Sequence, residues 1–193
     1  MTVPVFAGVD EAGRGPMAGP VVAAAAILTA EQASALSSLG LRDSKKMTSR
    51  SREAVFSTIK DIGVIWTAQV ASVERIDRMN ILYATLWAMK KAVERLPRRF
   101  FDGVLVDGDK EIPGLNLPQQ VCPGGDDKYP QISAASVIAK VLRDGLMVAL
   151  DKKYPKYGLA QHKGYGTKAH RRALELYGVT AIHRRSFHWR TPS

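Results

Sequence analysis

The apolar run Val5-Phe6-Ala7-Gly8-Val9 stops at two adjacent carboxylates, Asp10 and Glu11, and a glycine-flanked arginine, Gly13-Arg14-Gly15, follows at once. A run of this length and make-up reads as a buried strand. Packing gives no reason for such a strand to end in two acids, because an ionised carboxylate is costly to bury unless something positive meets it. Here the positive partner is Arg14 or a metal ion. The glycines let the backbone come close to a ligand and enter conformations that other residues avoid. The chain carries 28 Lys and Arg against 18 Asp and Glu, a formal net charge of +10. An acidic spot on a basic protein fits an enzyme that acts on a phosphate polymer.

The rest of the chain supplies an α/β alternation. Val21–Leu28 is apolar throughout and reads as a buried central strand, although its four alanines also suit a helix. Helices are predicted over Ser49–Ile62 and Asn80–Leu96, with apolar residues at helical spacing. Val64–Val70 and Gly103–Val106 read as strands, the second ending at Asp107-Gly108. Pro130 opens a long helix from Gln131 to Lys153, a first-turn position that suits proline. Thr167–Tyr177 is the last predicted helix, with Gly178 placed to end it. The class is α/β with a mixed sheet. At 193 residues the chain suits one domain, 1–193. Cys122 is the only cysteine, which excludes an intrachain disulfide and fits a cytoplasmic protein. No apolar stretch reaches the roughly 20 residues of a membrane span, and no signal peptide is evident.

Three places put acids at strand ends or in loops among glycines: Asp10-Glu11, Asp107, and Asp126-Asp127 within Gly124-Gly125-Asp126-Asp127-Lys128. Hard divalent cations take such oxygen ligands together with water and substrate phosphate. Three or four carboxylates can hold two ions, and a pair roughly 3.5–4 Å apart serves both the attacking and the leaving oxygen of a phosphoryl displacement. Asp127 and Asp109 also suit plain turn roles. A loose dinucleotide fingerprint, Gly13-x-Gly15-x-x-Ala18, is set aside. Pro16, Gly19 and Pro20 interrupt the helix it would have to open, and the two acids would repel a pyrophosphate.

Together these segments resemble bacterial ribonuclease HII. The pieces are Asp10-Glu11-Ala12-Gly13-Arg14-Gly15, Asp43-Ser44-Lys45-Lys46, Asn80-Ile81-Leu82, Val106-Asp107-Gly108 and Gly125-Asp126. They continue with Ile132 to Val141, Arg143-Asp144, His162-Lys163-Gly164-Tyr165-Gly166-Thr167 and His183-Arg184-Arg185-Ser186-Phe187. They stand in family order over nearly the whole chain. The resemblance implies a ribonuclease H-like mixed sheet flanked by helices, with a helical carboxy-terminal part from about residue 155. It implies cleavage of RNA joined to DNA in a duplex, in hybrids and at single embedded ribonucleotides, with Mg²⁺ or Mn²⁺ and a two-metal mechanism. The products carry 5′-phosphate and 3′-hydroxyl ends.

Residue by residue, the family's four carboxylates fall on Asp10, Glu11, Asp107 and Asp126. Asp126 is preferred to Asp127 because the family places its acid directly after the glycine. Gly13-Arg14-Gly15 matches the motif that meets the ribose 2′-hydroxyl, the group that separates RNA from DNA. Tyr165 matches the tyrosine that probes the sugar at an RNA–DNA junction. Lys45 and Lys46 match a phosphate-contacting loop or form a plain solvated one. Lys140 and Asp144, four apart, can pair on one helix face. His183-Arg184-Arg185 is expected to face phosphate or solvent. A non-catalytic binder of hybrids is the rival from another class. The related ribonuclease HIII would add an amino-terminal domain, and four residues precede the first predicted strand. No membrane and no obligate protein partner are expected, no clamp-binding tail is evident after Trp189, and the resemblance implies a monomer.

Overall fold

The computed structural model describes residues 4–41 and 44–187, without the Lys45 side chain. Five strands form one mixed sheet: β1 (Phe6–Ala12), β2 (Val21–Ile27), β3 (Ile65–Ala71), β4 (Gly103–Asp107) and β5 (Gln119–Cys122). Their order across the sheet is β3-β2-β1-β4-β5. The first three are antiparallel neighbours, whereas β4 and β5 run parallel to β1. Helices α1 (Ala30–Ser38), α2 (Ser49–Asp61), α3 (Val73–Met79) and α4 (Ile81–Glu94) lie between strands. After β5 come α5 (Pro130–Lys153), α6 (Leu159–His162) and α7 (Lys168–Tyr177).

The alanine run settles as a strand. Every residue of β2 is buried, and alternate side chains serve opposite faces. Ala23 and Ala25 pack with Met89, Ala92 and Val93 of α4. Ala24 and Ala26 pack with Ala135, Val137 and Ile138 of α5 and with Leu36, Val55 and Ile59 of α1 and α2. Small residues let both helical layers close on the strand. The same approach reaches β1, where a Cβ on Gly8 would stand 2.3 Å from the backbone carbon of Gln131. The first turn of α5 therefore lies directly on the strand that leads to the acids.

Beyond the sheet, Met147 of α5 packs with Tyr157, Leu159, Ala173, Leu174 and Ile182 of the carboxy-terminal part. Met17 and Ala18, from the loop after β1, join the same cluster. That loop is stitched to the carboxy-terminal part by Met17 N donating to Gly164 O at 2.9 Å and Arg184 N donating to Met17 O at 2.9 Å.

The predicted long elements stand with small shifts at their ends. The largest difference is β1, which runs on through Asp10 and Glu11 to Ala12, so the acids belong to the strand rather than follow it. Four elements had no predicted segment of their own: α1, α3, α6 and β5. Helix α1 is announced by a capping box in which Thr29 accepts from Gln32 N and the Gln32 side chain accepts from Thr29 N. Ser72 caps the short α3. Strand β5 is four residues at the sheet edge, Gln119-Gln120-Val121-Cys122, too short for a periodicity to reveal it.

Candidate active site

Parity in the strand decides where the acids go. Asp10 shares the α5 side of the sheet with Gly8, and its carboxylate bonds to the Ser136 hydroxyl on that helix. Glu11 faces the other layer, in a cleft with Leu82, Thr85, Leu86 and Met89 of α4 and with Asp107, Asp109 and Lys110. Asp107 ends the neighbouring parallel strand, in register just beyond the Val9–Val106 pair. Its Oδ1 accepts the Gly125 amide at 2.8 Å, which ties the Gly125–Asp127 turn to the sheet. Asp126 follows in that turn and is buried, and its carbonyl receives the Ser133 hydroxyl at 2.6 Å. The four acids assigned by resemblance are thus gathered at one end of β1 and β4.

The electrostatics of the group are unfavourable as it stands. Asp10 is 3% exposed. Its carboxyl is held well above the usual carboxylate range, first by burial and then by the charges of Glu11 and Asp107. Its Oδ1 turns back to accept the Glu11 amide at 2.6 Å. Arg14 is a nearby cation, with Nη1 3.6 Å from Glu11 Oε1, and its side chain is half exposed. An all-oxygen donor set that crowds negative charge fits a hard divalent cation. Among the described residues no three His, Cys, Asp or Glu side chains converge tightly enough to enclose an ion.

The loop after β1 is shaped by two buried arginines. Gly13 has φ +102°, and a Cβ there would stand 2.0 Å from Arg143 Nε. Gly15 is different, since a Cβ on it would meet only Tyr165 Cε1, at 3.7 Å, an ordinary contact. The fold itself thus requires glycine at position 13, whereas position 15 has room for a Cβ. Arg143 donates to the carbonyls of Pro20, Lys163 and Ala18 at 3.1, 3.0 and 3.3 Å. Arg184 donates to Gly19, Arg14, Gly13 and Pro20 at 2.9, 2.9, 2.6 and 3.3 Å. The expectation that His183 and Arg184 face phosphate or solvent fails, as both are buried. A loop with few backbone partners of its own needs donors, and a guanidinium supplies five. Only the abundance of Gly and Pro between residues 13 and 20 hinted at that need. Arg185, next along, is exposed as expected.

The remaining sequence assignments divide. Tyr165 is 47% exposed beside Gly15, an open ring rather than a packed one. Lys46 pairs with Asp127 across the site. Exposed pairs of this kind contribute roughly 0–1 kcal/mol, so a phosphate can compete for the lysine. The Lys45 side chain, Asp43, and Trp189 with the residues after it lie outside the described residues. The turn Ser44–Lys46 is anchored by Arg52, which donates to Ser44 O at 2.7 Å, and by the Ser44–Ser136 hydroxyl pair at 2.8 Å. Ser136 thereby links this turn to Asp10. Lys140 and Asp144 pair at 2.9 Å, as the spacing predicts.

His183 provides a pH test of the carboxy-terminal part. Burial, and then His170 beside it, pull its pKa down from 6.5 to about 4. Between those values unfolding takes up a proton that the folded chain refuses, so stability is full above 6.5 and falls as pH drops toward 4. The melting temperature should fall from about pH 7 to about pH 5, and less steeply in His183→Gln. Parallel slopes for the two proteins would remove His183 from the account.

The sheet order, the flanking helices and the acids at adjacent strand ends define a ribonuclease H-like nuclease fold. The backbone superposes on ribonuclease H2 from Pyrococcus horikoshii with TM-score 0.76 and 31% identity, covering 95% of this chain and 93% of that one. It also superposes on a chain of the PCNA:RNase HII complex from Archaeoglobus fulgidus, with TM-score 0.80, 27% identity and 98% of both chains covered. Residues 7–190 match the family model of Ribonuclease HII. Ribonuclease HII of Trichodesmium erythraeum is 51% identical over 183 residues, 94% of this chain and 85% of that protein. The chain belongs to the ribonuclease HII family, a family of endonucleases.

Proposed function

We propose that this chain is an endoribonuclease that uses Mg²⁺ or Mn²⁺ to hydrolyse the RNA strand of RNA–DNA hybrids and to cut duplex DNA at single ribonucleotides. It leaves 5′-phosphate and 3′-hydroxyl ends and works as a monomeric, single-domain cytoplasmic protein. The observation that carries the reading is the buried Asp10, crowded by Glu11 and Asp107 at adjacent strand ends, in a chain of this family. Among the described residues no helix is long and apolar enough to cross a membrane.

Asp10, Glu11, Asp107 and Asp126 would hold the cation. When bound, it supplies an acidified water as nucleophile and charge stabilisation for the departing 3′-oxygen. The protein's own groups fix the substrate. The carbonyls of Gly13 and Arg14 point back to Arg184, which supports a reading in which the outer side of this loop meets the ribose 2′-hydroxyl. Tyr165, whose open ring stands across Gly15, would lie against the sugar next to the ribonucleotide. Lys45, Lys46 and the general positive charge draw in the phosphate backbone.

The test is a duplex carrying one ribonucleotide, incubated with and without Mg²⁺. Metal-dependent cleavage at the ribonucleotide is expected; binding without cleavage under both conditions would favour the non-catalytic reading. A second comparison concerns the fourth acid. Asp126 is buried beside the Asp107-bound Gly125, whereas Asp127 is nearly half exposed and pairs with Lys46. Asp126→Asn should lower the rate by roughly 100-fold or more, and Asp127→Asn by only about twofold. The reverse order would move the ligand to position 127.

A further inference from the structure

The histidines that the proposed chemistry leaves unused lie together beneath Tyr165. His170, in the first turn of α7, is fully buried, as nearly is His183. Their Nε2 atoms are 3.2 Å apart, and the His162 ring stacks on His170 with centroids 4.4 Å apart.

The partners fix the protons. His183 Nδ1 receives the Thr180 amide at 3.0 Å, and the Thr180 hydroxyl, which can donate to the same nitrogen, is also 3.0 Å away. An amide N–H only donates, so Nδ1 is the acceptor and the neutral ring carries its proton on Nε2. That proton faces His170 Nε2, which must then accept. The His170 proton therefore sits on Nδ1, 3.0 Å from the carbonyl oxygen of Tyr165. Every bond runs one way, from the Thr180 amide through His183 and His170 to Tyr165. His162 is set alike, its Nδ1 accepting from Gly164 N at 3.2 Å and its Nε2 donating to Tyr157 O at 2.8 Å. The remaining Tyr165 backbone bonds come from its own turn: its amide donates to His162 O, and its carbonyl also receives Thr167 N, both at 2.9 Å. His170 is the one tie from this carbonyl into the buried core of the carboxy-terminal part that these bonds provide.

We propose that His170 and His183 are positioning residues, a one-way relay of neutral imidazoles that fixes the Tyr165 backbone and aims its exposed ring across Gly15 at the substrate sugar. Burial lowers the basicity of both rings, which keeps them in the neutral form that the relay needs. The inference rests on the reading of Tyr165 as a sugar contact. It adds that the contact is aimed from behind, by groups that touch no substrate.

The test is the rate on a single embedded ribonucleotide divided by the rate on an RNA–DNA hybrid with Mn²⁺, for the parent, Tyr165→Ala, His170→Leu and His170→Asn. Leu fills the space of the ring but cannot donate. Asn fills it less well, yet its amide nitrogen stands near the position of Nδ1 and can donate to Tyr165. His170→Leu should lower the ratio by about tenfold, as misplacement of a contact group does, and His170→Asn should restore most of it. If packing alone mattered, Asn would be worse than Leu, and that order overturns the relay. A ratio that falls in Tyr165→Ala and not in His170→Leu also overturns the relay while leaving the sugar contact standing. A ratio unchanged in Tyr165→Ala refutes the sugar contact, and the relay's purpose with it. Nitrogen NMR of the parent provides a check that no folding defect can obscure: the neutral proton should be on Nδ1 of His170 and on Nε2 of His183. The opposite tautomers would refute the relay.

Discussion

Asp10→Asn should reduce cleavage by roughly 10³-fold or more, leave duplex affinity within a few-fold of the parent, and raise the melting temperature of the metal-free protein. The amide has the shape of the acid, and its oxygen can still accept the Glu11 amide now bound by Oδ1. What disappears is a charge that burial and two neighbouring carboxylates make unfavourable. A site built to receive a cation costs stability until the cation arrives, so neutralising its innermost acid stabilises the fold and removes its chemistry. Melting curves with and without Mg²⁺ check the argument. The advantage of the variant should shrink when Mg²⁺ is present, because the ion offsets the same repulsion in the parent. Parent-like cleavage by Asp10→Asn would dispose of the metal assignment, and a lower melting temperature without metal would dispose of the strain argument.

Arg184→Leu should destabilise the protein by about 3–5 kcal/mol, which for a chain of this size is on the order of 10 °C in melting temperature. Burial and the nearby Arg143 pull its pKa down to about 9, which leaves it charged at neutral pH. Its charge is shared among four carbonyls from residues 13 to 20. Removing it leaves the Gly13, Arg14 and Gly19 carbonyls without this charged donor, and only Pro20 O keeps its bond from Arg143. Lysine is no replacement, since one ammonium on a flexible stem cannot reproduce a planar fork. Arg185→Leu is the control. Arg185 is exposed, and its backbone amide, not its side chain, bonds to Asp77 Oδ2 at 3.1 Å. It should change stability by less than about 0.5 kcal/mol. Equal effects at the two neighbouring arginines would mean that the loop is held by something else.

The contrast between those two arginines shows where sequence reading reaches its limit. Acids at the end of an apolar run stand out because the local chemistry is at odds with burial, and Asp10, Glu11 and Asp107 were legible for that reason. The long helices were legible from spacing and from Pro130 and Gly178. A buried arginine in a basic run carries no such mark. Arg184 is inside because carbonyls some 170 positions earlier come to it, a long-range fact that no window of sequence contains. His183 misled for the same reason, since its partner in the interior is His170 of α7. Strand β5 was missed because edge residues answer to only one neighbour and need not alternate.

The alanines of β2 have a consequence for how the acids are held. Alanine has no side-chain torsion, so Ala23 to Ala26 cannot settle into a second packing as larger core residues can. Strand β1 is paired to this stretch from Gly8 opposite Ala26 to Ala12 opposite Val22. The strand that carries Asp10 and Glu11 is thus fastened to a neighbour with one available arrangement. A change in either helical layer has no rotamer here to absorb it and must move backbone or nothing. The spacing of the two acids from Asp107 is in this sense a property of the main chain, insulated from the small repackings by which most protein interiors answer a mutation.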